Sequence, residues 1–273
     1  MKRILLTNDD GYESSGLRAL KEALKDLAHI TIVAPSSEKS ACGHGLSITK
    51  PLKLLQVDDD FYKLDDGTPS DCVYLALHTL YTEDIKPDLV ISGINIGSNM
   101  GEDITYSGTV AGAIEGCLHG ISSIAISQVL RDKNLSQEFD FRLAKNVIRD
   151  LAERILTNSF PLTERKFLNV NIPSAQNSKG YKITQMGCRV YGNDALLHRN
   201  PRGEEYYWIG LHPLIWESRN MAESALDFDG MNDFDAIKEG FVSVTPIKLD
   251  LTSYEDIARL EDFLKTTHNK EQK

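Results

Sequence analysis

Two adjacent carboxylates follow the first apolar run of the sequence. The run 4–7 ends in Asn8, Asp9, Asp10 and Gly11. Neighbouring carboxylates at the end of a strand supply the hard oxygen ligands that Mg²⁺ or Mn²⁺ prefers. The same residue types also favour turns and caps. The motif by itself therefore leaves a metal site and an ordinary turn both open.

Two further polar loops each follow an apolar run. The segment 36–45 combines hydroxyls, two glycines and His44, which could give a cation a neutral oxygen ligand and an anion backbone donors. Alternatively, it is a loop cap with a solvated His44. The segment 92–101 carries glycines that permit close backbone approach to a ligand, or that simply make a flexible connector.

A predicted helix start lies at Ser107-Gly108-Thr109. The first N–H groups of a helix are unpaired and attract anions, and hydroxyls can add donors. Ser and Thr are also the usual N-cap residues, so ordinary capping remains an alternative. Gly108, Gly112 and Gly116 recur about one turn apart, which favours close helix packing over catalysis.

The elements that must position these residues alternate between strand and helix. Strands are predicted at 4–7, 30–35, 88–93, 123–127, 167–172 and 241–246, and helices at 17–27, 71–81, from 108, at 141–156 and at 253–264. The alternation indicates a doubly wound, mostly parallel α/β sheet of three layers, Rossmann-like in type. Parallel strands end at one rim, where such folds bind ligands, so the polar loops should meet there.

The second half of the chain has a weaker pattern. We predict an α/β catalytic core at 1–130, and at 131–273 the completion of that core plus a C-terminal region used in oligomerisation, in one structural domain overall. Between 174 and 240, polar loops alternate with aromatic pieces such as 206–209. These pieces predict a protruding hairpin or a subunit contact, so the extension would consist of hairpin and helix.

The charge balance excludes some classes of function. The chain has 40 acidic and 30 basic side chains, a net charge of −10, which argues against general binding of nucleic acid or anionic membranes. No Lys or Arg occurs from 87 to 130, and no P-loop motif is present. A phosphate at the predicted rim would face Asp9 and Asp10 with few cations nearby, and a divalent metal would resolve that conflict.

Several other motifs are absent from the sequence. It contains no Gly-x-Ser-x-Gly elbow, no His-Glu-x-x-His helix and no Gly-x-Gly-x-x-Gly after the first strand, which disfavours esterases, zincins and dinucleotide-binding enzymes. The four cysteines form no Cys-x-x-Cys pair, so we expect reduced thiols and a cytoplasmic location. We also expect neither a signal peptide nor a membrane span.

Five ordered motifs resemble the stationary-phase survival protein family SurE. They are 6–11 (LTNDDG), 33–35 with Ser40-Ala41, 67–73 (GTPSDCV), 92–95 with 99–101, and 107–110 (SGTV); 169–173 (NVNIP) and 243–246 (SVTP) extend the match. The resemblance implies a metal-dependent phosphatase of nucleoside 5′-monophosphates. It implies 3′-monophosphates and short polyphosphate as possible further substrates.

The resemblance also implies the site residues and the assembly. It places one divalent ion per subunit, Mg²⁺ or Mn²⁺, on Asp9, Asp10, Ser40 and Asn95. The phosphate and substrate-binding candidates are Gly43, His44, Asn99, Ser107, Gly108 and Thr109. It further implies a homodimer or homotetramer whose C-terminal part makes subunit contacts.

In the hypothesis that follows, an activated water attacks phosphorus with Asp9 or Asp10 as base, and direct attack by one carboxylate stays open. Backbone donors at 43–44 and 107–109 would stabilise the phosphoryl oxygens. A nucleotide-sensing module without turnover, or a general phosphatase of sugar phosphates, are the alternatives.

Overall fold

The computed structural model describes residues 1–130, 139–191, 194–210, 214–220 and 230–268. In chain order the strands are β1 Arg3–Thr7, β2 His29–Pro35, β3 Lys53–Asp58, β4 Phe61–Asp65, β5 Leu89–Ile96, β6 Ser123–Gln128, β7 Lys166–Ile172, β8 Tyr181–Ile183, β9 Gly187–Tyr191, β10 Asp194–Arg199, β11 Glu205–Gly210, β12 Leu214–Asn220 and β13 Val242–Lys248. The helices are α1 Ser15–Leu24, α2 Pro69–Thr79, α3 Gly108–Leu118, α4 Arg142–Thr157, α5 Asp233–Lys238 and α6 Ile257–His268, with 3₁₀ helices at Gly101–Thr105 and Tyr254–Asp256.

Nine of the described strands form one sheet in the order β3-β4-β2-β1-β5-β6-β7-β13-β8. The six strands from β4 to β7 are parallel. Helices α1 and α4 cover one face, and α2 and α3 cover the other. The predicted three-layer, mostly parallel α/β fold is therefore confirmed.

Helix α1 shows how the sequence pattern builds these layers. Leu17, Leu20 and Leu24 are at most 1% exposed and pack against the sheet. Ser14 caps the helix by accepting a hydrogen bond from the Leu17 amide at 3.2 Å. Truncating one such leucine to alanine costs about 2–5 kcal/mol, so the apolar spacing fixes which face of α1 meets the sheet.

The strand pair β3–β4 is absent from the sequence prediction. These antiparallel strands lie at one edge of the sheet, and β3 is mostly exposed. An exposed edge strand needs no continuous apolar run, so its pattern is weak. Strand β5 is also longer than predicted, and it reaches Asn95 and Ile96.

The second half of the chain both extends the sheet and projects from it. Strand β13 pairs antiparallel with β7 and parallel with β8. Strands β10 and β11 form a separate antiparallel hairpin, whose Trp208 and Ile209 are 67% and 83% exposed. The predicted hairpin and final helix therefore exist, while their use in oligomerisation and the boundary at residue 130 remain predictions. Residues 192–193, 211–213 and 221–229 of the stretch 174–240 lie outside the described residues.

Candidate active site

The three predicted polar loops leave the sheet where its strand order reverses. Strand β1 has β2 on one side and β5 on the other, and Thr7 lies opposite Ser92. Ligands of open α/β sheets bind at such a switch point, beyond the carboxyl ends of the strands. Asp9 and Asp10, which follow β1, therefore emerge beside Asn95 near the end of β5.

Asp9 contacts three elements. Its side chain accepts hydrogen bonds from the hydroxyl and the backbone N–H of Thr109, in the first turn of α3. Its backbone carbonyl accepts from the Lys39 amide at 2.7 Å, which attaches the loop that follows β2. Helix α3 approaches so closely that a Cβ on Gly108 would lie 2.6 Å from the Cβ of Asp9. Asp9, only 4% exposed, thus joins β1, the Ser40 loop and α3.

The electrostatics of the two carboxylates favour a cation. Burial raises the pKa of Asp9, opposed by the Thr109 hydrogen bonds. Burial, and then the charges of Asp9 and Glu38, raise the pKa of Asp10 to about 7, while the Ile96 amide opposes the rise. The Asp10 Oδ2 atom is buried and has no hydrogen-bond partner among the described residues. A bound divalent ion would relieve this unfavourable burial of charge.

The predicted neutral ligands are Ser40, on the loop after β2, and Asn95, near the end of β5. The Ser40 hydroxyl donates to Glu38 Oε1 at 2.8 Å. The Asn95 amide donates to the Gly97 carbonyl at 2.9 Å, which leaves its carboxamide oxygen as the acceptor. Within the described ranges no group of three His, Cys, Asp or Glu side chains forms a metal site, so a cation on the two aspartates would need such hydroxyl and amide oxygens.

The Gly43-His44 turn is fixed to α3 and to Tyr106, two residues before that helix. The Gly43 amide donates to the Tyr106 carbonyl at 2.9 Å. The Nε2 atom of His44 lies 2.7 Å from Oε2 of Glu115, and Nε2 of His119 lies 3.1 Å from the other oxygen. Glu115 is 4% exposed, and a buried carboxylate requires partners of this kind.

The 67–73 motif positions the same loop from its other side. Thr68 and Asp71 form a capping box at the start of α2. The Thr68 hydroxyl also donates to the Gly45 carbonyl at 2.8 Å, and Asp71 Oδ1 accepts from the Ser47 amide at 2.8 Å. The motif therefore acts on the site through the loop that carries Ser40 and His44.

The predicted helix start at Ser107 acts both as an ordinary helix cap and as part of the candidate site. Ser107 caps α3, because its side chain accepts from the Val110 amide at 3.0 Å. The first turn also meets the site, because Gly108 and Thr109 contact Asp9. Gly112 and Gly116 serve close packing, since a Cβ on either would lie within 2.8 Å of atoms on β1, β5 or β6.

Asn99 lies in a buried polar network instead of a solvent-facing loop. Its amide donates to Ser127 Oγ at 2.8 Å, and its backbone bonds the side chains of Asn169 and Asn171. The structure thus brings Asp9, Asp10 and the segment of Asn95 together, with Ser40 and His44 on the adjoining loop. The side-chain amide of Asn99, in contrast, is buried in the interior. Its role toward substrate remains a prediction.

Sequence reasoning did not single out some residues that the structure places at or behind the site. Glu38 acts on both aspartates, and Glu115 holds His44. Glu115 could have been found as a lone acid among the small apolar residues of α3. Asn169 and Asn171 could have been found as two amides on one face of a buried strand. Nothing in the sequence distinguished Glu38 from an ordinary loop acid.

None of the described helices has the length and apolar character needed to cross a membrane.

Comparison with known proteins gives concordant matches. The family described as survival protein SurE matches residues 4–193. The 5′-nucleotidase SurE of Helicobacter hepaticus is 65% identical over 97% of this chain and 99% of its own length, and that of Wolinella succinogenes is 64% identical over 97% and 100%. The crystal structure of the SurE protein from Aquifex aeolicus superposes with a TM-score of 0.78 at 42% identity, covering 96% of this chain and 99% of that one. The chain belongs to the SurE family.

Proposed function

We propose that this protein hydrolyses nucleoside 5′-monophosphates to nucleoside and phosphate with the help of a divalent metal ion. The structural observation that carries the proposal is the contact of Asp9 with the first turn of α3. It sets cation-binding carboxylates beside a helix N-terminus, which attracts anions. Relatives above 60% identity that bear the name 5′-nucleotidase SurE support the same activity.

We assign one Mg²⁺ or Mn²⁺ ion per subunit to Asp9, Asp10, Ser40 and Asn95. The unpartnered Oδ2 of Asp10 and the acceptor oxygen of Asn95 suit a hard cation. Ser40 would contribute its hydroxyl oxygen, and metal binding would replace its hydrogen bond to Glu38 with a bond to the ion. Such an ion, when bound, polarises phosphoryl oxygens and makes a bound water more acidic.

The side chains of the site would accept the proton and bind the phosphoryl oxygens. Thr109 fixes the Asp9 carboxylate, and Asp9 or Asp10 would accept the proton of the attacking water. Donors for the phosphoryl oxygens come from Gly43-His44 and from the first turn of α3, Ser107 to Thr109, and Asn99 completes the substrate-binding set. Glu115 holds the imidazole of His44 in a fixed orientation.

Phosphate release from a defined substrate panel tests the proposal. We expect metal-dependent release from AMP and GMP with Mn²⁺ or Mg²⁺, and loss of release with EDTA. Asp9→Asn should abolish turnover, whereas Asp59→Asn, the same change at an exposed position, should retain it. The 3′-monophosphates and tripolyphosphate in the panel test the further substrates.

Two outcomes would replace this assignment. Nucleotide binding without turnover would identify a sensing module. Glucose 6-phosphate hydrolysis at the rate of AMP would identify a general phosphatase of sugar phosphates.

We also propose a cytoplasmic homodimer or homotetramer. Support for assembly comes from the β10–β11 hairpin, where Tyr207, Trp208 and Ile209 are 66%, 67% and 83% exposed. Successive residues of a strand point to opposite faces, so both faces of the hairpin expose large apolar side chains, and exposed apolar surface of this kind marks an interaction site. Support for the location comes from the four cysteines, which all lie in the described residues and form no disulfide with one another.

A further inference from the structure

Strand β7 carries two amides on a buried face. Leu168, Val170 and Ile172 pack into the core shared with α1 and α4. By strand alternation, Asn169 and Asn171 point to the opposite face, on the side of α3. Both asparagines are 0% exposed. Buried carboxamides are unfavourable unless they are hydrogen-bonded, so their partners indicate their purpose.

Both asparagines bind the backbone of a single residue, Asn99. The Asn171 side chain accepts a hydrogen bond from the backbone N–H of Asn99 and donates one to the backbone carbonyl of Asn99, each at 2.9 Å. Asn169 donates to the same carbonyl at 2.8 Å. The Asn99 side chain donates to Ser127 on β6 at 2.8 Å. Asn99 is thus held by four hydrogen bonds from two strands of the sheet.

The segment held in this way carries Asn95. The Asn95 amide donates to the Gly97 carbonyl, and the Gly97 amide donates to the Gln128 carbonyl at 2.9 Å. The next attachment is Asn99, and then Gly101, whose amide donates to the buried Asp233 at 2.8 Å. The Asn95 backbone pairs with Ser127 on β6, so the following segment acts on the Asn95 side chain. That side chain bonds the Gly97 carbonyl, and Gly97 is held between its contact with Gln128 and the fixed backbone of Asn99.

We infer that Asn169 and Asn171 are positioning residues for Asn95 as a metal ligand, acting through the backbone of Asn99. The inference rests on the metal site of the proposed function. Groups that hold a metal ligand in place commonly change metal affinity by about 10–100-fold when removed. Asn171 makes two of the bonds and Asn169 makes one, so the effect should be larger at Asn171.

A substitution at Asn169 can distinguish a loss of positioning from a loss of folding stability. Its Oδ1 atom is buried and has no partner in the described part of the chain. Asn169→Leu, a change of similar volume, removes one hydrogen bond to Asn99 and also removes that unsatisfied oxygen. We therefore expect the folded state to be nearly as stable as the parent, while the Asn95 segment loses one restraint.

The experiment measures Mn²⁺ affinity by electron paramagnetic resonance, together with urea unfolding, for the parent, Asn169→Leu and Asn171→Leu. The matched control is Thr245→Val, because Thr245 lies opposite Asn169 on β13, is 2% exposed and bonds Thr184 instead of the Asn95 segment. We expect the Mn²⁺ dissociation constant to rise about tenfold in Asn171→Leu, to rise less in Asn169→Leu, and to stay unchanged in the control. Saturating Mn²⁺ should restore kcat for AMP.

Unchanged Mn²⁺ affinity in both asparagine variants, with AMP still hydrolysed by the parent, would overturn the inference and leave the proposed function intact. An equal affinity loss in Thr245→Val would also overturn it, since the effect would then be general to buried polar groups. Weakened Mn²⁺ binding in a protein that does not hydrolyse AMP would support the inference and refute the proposed function. A parent that binds neither Mn²⁺ nor Mg²⁺ would overturn both.

Discussion

The Thr109 hydroxyl donates a hydrogen bond to the Asp9 carboxylate across 100 positions of sequence. The bond joins the end of β1 to the first turn of α3, so the buried carboxylate lies where the helix dipole favours negative charge. A helix start that would otherwise receive only an anionic ligand thereby also positions a side chain that we propose as a metal ligand. The same contact accounts for Gly108, since a larger residue would separate the two elements.

Removing the hydroxyl of Thr109 should weaken metal binding. Thr109→Val keeps the shape of the side chain but deprives Asp9 of a donor that orients it. Because partners of this kind matter by about 10–100-fold in affinity or activity, we expect a loss in that range in both Mn²⁺ affinity and kcat/KM for AMP.

Titration with Mn²⁺ and steady-state kinetics measure the two quantities. Thr79→Val is the matched control, because the Thr79 hydroxyl donates within its own helix, to the Leu75 carbonyl. Wild-type Mn²⁺ affinity in Thr109→Val would show that the hydrogen bond does not orient Asp9.

Adding one methyl group at Gly108 should disrupt the site. A Cβ there would lie 2.6 Å from the Asp9 Cβ and 3.1 Å from the Cys42 Sγ, so α3 must move away from β1. We expect Gly108→Ala to lose about 1–3 kcal/mol of unfolding free energy, together with most of its activity. Urea unfolding and phosphate release measure both effects.

The control for this change is Gly45→Ala. Its new Cβ would meet only the Cys42 carbonyl oxygen, at 3.7 Å, which is an ordinary contact. If Gly108→Ala behaved like Gly45→Ala in both assays, the close approach of α3 to Asp9 would not matter for function.

The fold could largely be predicted from the sequence because its signals are local. Buried parallel strands such as β1 and β6 are continuous apolar runs, and α1 repeats leucine at helical spacing. Turn-forming residues mark the ends of the strands, and the ends of the parallel strands define the edge of the sheet where ligands bind. The same logic predicts that Asp9, Asp10 and Asn95 lie at neighbouring strand ends.

What could not be predicted depends on contacts between distant segments. The β3–β4 edge pair has little buried surface to impose a pattern. No local rule assigns the Thr109 hydroxyl to Asp9, or two asparagines of β7 to the backbone of Asn99. The resemblance makes Asn99 a substrate-binding candidate, whereas the fold directs its side-chain amide to Ser127.

Metal binding should stabilise the folded chain through the two aspartates. A ligand that binds only the folded state adds about 2.7 kcal/mol of stability at 100 times its dissociation constant. We expect Mn²⁺ to raise the melting temperature of the parent relative to EDTA, and to raise that of Asp10→Asn far less. Asp59→Asn should respond like the parent, whereas a full response in Asp10→Asn would remove Asp10 from the ligand set.

The exposed hairpin should govern assembly. Trp208→Ser combined with Ile209→Ser removes two large apolar side chains that are 67% and 83% exposed. We expect this double variant to shift to a smaller species in size-exclusion chromatography with light scattering. Val57→Ser, at an edge strand residue that is 44% exposed, is the control. An unchanged mass for the double variant would exclude the hairpin as a subunit contact.

Asp103 should make stability depend on pH in a defined direction. Burial, followed by the charges of Glu102 and Asp233, raises the pKa of Asp103 to about 7. An unfolded aspartate ionises near about pH 3.9, so between that pH and 7 the unfolded chain releases its proton more readily. The folded state therefore loses stability as pH rises through this window, and the loss levels off above pH 7.

Asp103→Asn removes this ionisation. Its unfolding free energy relative to the parent should therefore increase from pH 4 to pH 7 and remain constant above. Urea unfolding of both proteins in EDTA at pH 4.5, 6 and 7.5 measures the trend, and Asp59→Asn, at an exposed position, should show none. A difference between Asp103→Asn and the parent that is independent of pH would mean that Asp103 ionises alike in the folded and unfolded chains.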